Sequence, residues 1–162
     1  MNKIIIISGE KQSGKTTYLV NFLKTKNADR QIYEGFVAIG TFKDGIRNSF
    51  SLMDISTNEK MRFMHTEPIQ NANQQGKFYI NPKGIVFGES ILKKAFNSDC
   101  KGVVIDEIGP LELNNEGWAG QFKLLLNTDK EIVITVRTSL VQRVVSFFEL
   151  KNFNVINIQK HE

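Results

Sequence analysis

Nine residues near the start of the chain, Gly9-Glu10-Lys11-Gln12-Ser13-Gly14-Lys15-Thr16-Thr17, restrict its fold more than any other stretch. They read Gly-x-x-x-x-Gly-Lys-Thr and come just after the apolar run Ile4-Ile5-Ile6-Ile7. This is the pattern of a phosphate-binding loop between a strand and a helix. Gly9 and Gly14 admit turns that a side chain would obstruct, so backbone N–H groups can converge on phosphate oxygens. Lys15 is placed to reach the β- and γ-phosphates, and Thr16 offers a hydroxyl to Mg²⁺. The helix beginning there turns its positive end toward the anion. Tyr18, Leu19, Val20, Phe22 and Leu23 continue it with an apolar face. All nine residues from Gly9 to Thr17 are nucleotide-binding candidates.

The remaining pattern predicts one α/β domain over residues 1–162. Residues 31–39 read as a second strand. Residues 47–55 and 60–64 alternate apolar and polar residues around a Ser56-Thr57-Asn58 turn, which predicts a β-hairpin insert over about 38–80 at a sheet edge. His65 to Gly76 reads as a surface loop and Lys77 to Ile80 as a short strand. Pro82 and Gly84 are expected to break the chain before a helix facing inward through Ile85, Val86, Ile91, Leu92, Ala95 and Phe96. Val103-Val104-Ile105 is a continuous apolar run, as in a buried parallel strand. Trp118, Phe122, Leu125 and Leu126 then recur at helical spacing as core residues. Ile132 to Val136 makes another buried strand, Leu140 to Phe148 a helix, and Phe153 to Ile158 a last strand. The alternation predicts a P-loop NTPase fold, with a mostly parallel sheet and helices on both faces.

Composition narrows the setting. The 21 basic and 17 acidic residues give a net charge of +4, dispersed along the chain, which suits anionic ligands but supplies no basic stripe for nucleic acid. Cys100 is the single cysteine, so an intrachain disulfide is excluded and a reducing, cytoplasmic setting is expected. The isoleucine run is too short for a signal peptide, and no run reaches the length of a membrane helix. His65 and His161 lack metal-ligand spacing and are expected at the surface.

Asp106 and Glu107 end the 103–105 strand, at the edge where open α/β sheets bind ligands. An aspartate there can hold Mg²⁺ while the adjacent glutamate orients and deprotonates an attacking water, which makes hydrolysis the natural reaction. Glu112 reads as a surface residue or a loop clamp. Two rivals share the phosphate loop: a small-molecule or nucleotide kinase, and a nucleotide-gated module acting on a protein or nucleic acid. The missing arginine-rich lid argues against the first, and the dispersed charge against a nucleic-acid partner for the second.

Several stretches together, Gly9 to Thr17, Glu34-Gly35-Phe36, Gly45-Ile46-Arg47 with Phe50, Gly76-Lys77-Phe78 and above all Asp106-Glu107-Ile108-Gly109-Pro110-Leu111-Glu112-Leu113, resemble the THEP-type nucleoside triphosphatases. The resemblance runs from Ile4 to about Ile158. It implies a RecA-like core with a strand between the two nucleotide motifs, and Mg²⁺-dependent hydrolysis of several nucleoside triphosphates, ATP and GTP among them. On that resemblance Lys15 and Thr16 are phosphate and metal ligands, Asp106 is the metal partner, and Glu107 is the base. Arg47, in the Gly-x-Arg pattern, and Arg137, at the end of the strand expected beside the phosphate loop, compete as the arginine that steadies transition-state charge, with a hairpin arginine pairing on the surface as the equal alternative for Arg47. The chain differs from the family pattern at Ala38-Ile39-Gly40, at Pro110-Leu111 and at His161-Glu162.

Overall fold

The computed structural model describes residues 2–159. Its elements follow in chain order as β1 (Ile4–Gly9), α1 (Lys15–Lys26), β2 (Tyr33–Lys43), β3 (Ile46–Asp54), β4 (Lys60–His65), β5 (Gln74–Gln75), β6 (Phe78–Ile80) and α2 (Pro82–Asn97). Then come β7 (Gly102–Ile105), α3 (Pro110–Leu113), α4 (Ala119–Leu125), β8 (Glu131–Arg137), α5 (Val141–Phe147) and β9 (Phe153–Asn157). A short 3₁₀ turn, Thr138–Leu140, joins β8 to α5.

The strands form one sheet in the order β5-β6-β4-β3-β2-β7-β8-β1-β9. It is mixed, which corrects the expectation of a mostly parallel sheet. The pairs β2–β7, β7–β8, β8–β1 and β1–β9 are parallel, while β2–β3, β3–β4, β4–β6 and β6–β5 are antiparallel. Connection length decides which is which. Helices separate the parallel strands in sequence and supply the crossovers they need, whereas the short turns from β2 to β3, β3 to β4 and β5 to β6 permit only antiparallel neighbours.

The expected insert is therefore no separate attachment at residue 38. Strand β2 belongs to both halves, pairing with β7 through Tyr33–Phe36 and with β3 through Phe36–Lys43.

Each sheet face has its own core. On one, Leu19 and Leu23 of α1 pack against Ile5, Ile7, Val37, Val104 and Val133. On the other, α2, α4 and α5 cover Ile4, Ile6, Phe36, Leu52, Val103, Ile105, Ile132 and Ile134. Odd and even isoleucines of β1 thus enter opposite cores, which explains an uninterrupted apolar run in a strand buried on both sides.

Helix α2 corrects two expectations. Pro82 and Gly84 do not break the chain: Asn81 caps the helix by accepting from Lys83 N–H at 3.1 Å, and Pro82 occupies the first turn, where its missing N–H costs nothing. Its inward face is Gly84, Gly88, Ile91, Leu92 and Ala95, while Val86 and Phe96 face solvent. The two glycines lie inward because helix and neighbours come close there; a Cβ at Gly88 would stand 2.4 Å from the Trp118 ring.

His65 is buried rather than at the surface, its Nδ1 accepting from Glu67 N–H at 2.8 Å. The 65–76 stretch, expected as loop throughout, contains β5. His161 lies outside the described residues. Cys100 is buried and free. Among the described residues, no helix is long and apolar enough to cross a membrane.

Candidate functional site

Parallel strands β1, β7 and β8 end together, and their register brings the chemistry into one place. Gly9 stands opposite Arg137, Ile7 opposite Thr135, and Ile105 opposite Ile134. The loop from Glu10 to Gly14 leaves β1 and turns into α1, with Gly14 at φ 97° in the left-handed region. That conformation asks for glycine. Ser13 N–H donates to Glu10 O at 3.2 Å, and Tyr18 N–H to Gly14 O at 2.9 Å, closing the first turn of α1. Lys15 folds back over this loop, its Nζ donating to Gly9 O at 3.0 Å and to Glu10 O at 2.7 Å. Burial lowers the Lys15 pKa, opposed by the charges of Glu107 and Asp106.

The first residues of α1 reach the end of β7. Thr16 Oγ1 donates to Asp106 Oδ2 at 2.9 Å, and the N–H of Ala38, on β2, donates to the same oxygen at 3.0 Å. Thr135 Oγ1 donates to Oδ1 at 2.6 Å. Asp106 is buried at 5% exposure, and burial raises its pKa against these three hydrogen bonds and the Lys15 charge. A hydroxyl and a carboxylate side by side are the hard oxygen donors that Mg²⁺ selects, and a desolvated carboxylate gains from a cation beside it. Thr16 and Asp106 thus fit the ion by the chemistry of their donors.

Glu107 lies next to this pair with its side chain 37% exposed, and its Oε1 meets Arg137 Nε at 3.2 Å. The contact is an ion pair without an aligned hydrogen bond, and Oε1 itself is shielded from solvent. Burial raises the Glu107 pKa, the Arg137 charge opposes the rise, and Asp106 adds to it.

Arg137 is thus the arginine that the fold brings to the carboxylates. Arg47 lies in the β2–β3 hairpin, its guanidinium 5.0 Å from the Phe42 ring and 4.9 Å from that of Phe50. It lies over Gly40, whose missing side chain makes room for it.

A scan of family models matches residues 4–162 to the family described as NTPase. The chain belongs to that family. Among curated relatives, a nucleoside-triphosphatase THEP1 of Methanosarcina barkeri is 29% identical over 160 residues, covering 94% of this chain and 89% of the relative. Another THEP1, of Caldivirga maquilingensis, is 25% identical over 147 residues, covering 90% and 81%. The crystal structure of THEP1 from Aquifex aeolicus shares the fold at a TM-score of 0.75 and 21% identity, covering 96% of this chain and 90% of that one. The solution structure of a human cancer-related nucleoside triphosphatase does so at 0.74 and 20%, covering 98% and 90%. The resemblance to THEP-type nucleoside triphosphatases is therefore shown.

Two residues at this candidate site lie outside every sequence motif. Thr135 falls within a buried strand, where its signal is a lone hydroxyl among Ile132, Val133, Ile134 and Val136. Ala38 takes part through its backbone, which no side-chain motif reports. Glu112 is buried at 3%, so the surface alternative is excluded and the loop clamp is what the fold contains.

Proposed function

We propose that the chain is a Mg²⁺-dependent nucleoside-triphosphate phosphohydrolase, converting NTP and water to NDP and phosphate with broad tolerance of the base. The observation that carries this reading is the Thr16–Asp106 contact with Glu107 beside it, at the mouth of the phosphate loop. In the strand order β7-β8-β1 one strand lies between the two nucleotide motifs, which supports a RecA-like core. The relatives known as nucleoside-triphosphatase THEP1 support the same activity.

Thr16 and Asp106 would hold the ion, which when bound neutralises charge developing on the phosphate oxygens. Lys15 exchanges its two carbonyl acceptors for oxygens of the β- and γ-phosphates, and the loop N–H groups from Glu10 to Thr17 bind the rest of the chain. Glu107 orients the attacking water and accepts its proton. A pKa raised by burial brings a carboxylate closer to the range where a general base works best. Arg137 faces Glu107 at the loop and stabilises the transition-state charge, the role for which Arg47 was the competitor. Every contact named is to phosphate or water, which all nucleoside triphosphates share; hence the tolerance of base. Cytoplasmic location is proposed on the free cysteine alone.

Phosphate release across ATP, GTP, CTP, UTP and their deoxy forms, with and without Mg²⁺, tests the reading. Free phosphate from several bases, dependent on Mg²⁺ and on no acceptor, is expected. ADP formed only with an added acceptor would instead make the chain a kinase.

A further inference from the structure

The turn that follows Glu107 is closed by a buried carboxylate with no part in the chemistry just described. Glu112 Oε2 accepts from Gly109 N–H at 2.8 Å and its Oε1 from Trp118 N–H at 3.1 Å, so one side chain joins both ends of the turn. The Trp118 end is fixed: the residue is 2% exposed, and its ring lies 5.0 Å from Phe36 and 5.4 Å from Phe63. The Gly109 end borders the site, since a Cβ there would stand 3.2 Å from Glu107 Oε1. Ile108, between them, is fully buried and donates its N–H to Thr135 O at 3.0 Å. Glu107 is therefore held from the strand side through Thr135 and from the turn side through Glu112.

We infer that Glu112 is a positioning residue for Glu107: by tying Gly109 to Trp118 it keeps the Glu107 carboxylate turned toward the phosphate site. The inference rests on reading Glu107 as the group that handles water. Ionised, Glu112 accepts at both oxygens; protonated, one oxygen becomes a donor facing an N–H, and the tie loosens. Burial raises the Glu112 pKa to about 7 against the hydrogen bonds from Gly109 and Trp118, and the charge facing it, on Glu107, adds to the rise. Turnover should therefore climb with pH through that value.

A double-substitution cycle on the full chain, with saturating ATP and Mg²⁺, tests the inference. Glu112→Gln keeps the volume but only one acceptor, and should lower kcat about 10- to 100-fold with KM changed less than about threefold, as for a displaced catalytic group. Its pH profile should lose the step near 7. In a Glu107→Gln background, Glu112→Gln should cost no more than about a further twofold, because nothing remains to be positioned. Losses that multiply, or a Glu112→Gln protein with native kcat and pH profile, would overturn the inference. Should Glu112→Gln not fold, Glu112→Asp, which keeps both acceptors on a shorter arm, carries the same cycle. Full turnover by Glu107→Gln alone is a separate outcome, removing Glu107 from the chemistry and the positioning role with it.

Discussion

Asp106 takes three donors on two oxygens, Glu107 one ion pair, and Glu112 two backbone N–H groups, yet burial raises the pKa of all three carboxyls. A carboxyl with a raised folded pKa holds a proton that the unfolded chain releases, so its contribution falls as pH rises from the ordinary carboxylate range through the raised value. For Glu112 the window runs from 4.5 to about 7. Urea unfolding without nucleotide or Mg²⁺ should show stability declining across that window, and Glu112→Gln should flatten the decline; a slope unchanged by the substitution would contradict it. The arginines separate in the same manner. Arg137→Ala should lower kcat about 10- to 100-fold, the usual loss for one stabilising group, and shift the Glu107 limb of the pH profile upward, since the guanidinium holds that pKa down. Arg47→Ala should leave kcat within about threefold and remove about 1 kcal/mol of stacking on Phe42 and Phe50. Gly9 to Thr17, Asp106 and Glu107 were legible as candidates because each motif is local in sequence, and the fold brings Thr16 against Asp106. The position of Arg137 was not, because it depends on strand register, and the pairing of Gly9 with Arg137 is what favours it in the proposed role.

Strand β2 shows how one element joins two architectures. Gly35 lies opposite Val104 in the parallel pair, at φ 120°, where a Cβ would stand 2.1 Å from Val104 O. The Glu34-Gly35-Phe36 stretch that helped carry the family resemblance is thus a packing feature as well as a label. Gly35→Ala should destabilise the fold by about 2–4 kcal/mol through backbone strain and overpacking, measurable by urea unfolding, and native stability in that variant would refute the close approach. The antiparallel pairing of β3 with β4 is legible because alternation with a turn between is a local signal. That β2 would also carry the parallel pairing could not be read from it, since period-two alternation does not name the partner strand. Helix α2 misled for a related reason. Val86 and Phe96 look like core residues by hydropathy, but the face that turns inward is set by where Gly84 and Gly88 let the neighbours approach.

At the scale of the molecule, the parallel half of the mixed sheet carries the proposed phosphate site and the antiparallel half extends from β2. Nucleotide binding should be felt across it, because a ligand held by β1, α1 and β7 together stabilises all three at once. At a nucleotide concentration 100-fold above Kd, with Mg²⁺, Tm should rise by about 5–10 °C in a domain of this size, and Lys15→Ala should abolish most of that rise. Differential scanning fluorimetry reads both; an equal rise in Lys15→Ala would take that side chain out of the site. The parallel half was legible from its apolar runs and the acids at their ends, and the helices on both faces followed from the alternation of elements. The balance of parallel and antiparallel pairs came from loop lengths that the pattern alone left undecided. The proposed hydrolysis turns on Glu107 activating water on a nucleotide held by its neighbours. Single-turnover phosphate release by Glu107→Gln, with ATP and Mg²⁺ affinity measured by calorimetry on the same protein, is the decisive test. Affinity should stay near that of the unsubstituted chain while the rate falls by about 10²- to 10⁴-fold. A well-folded Glu107→Gln protein that releases phosphate at the native rate would contradict it.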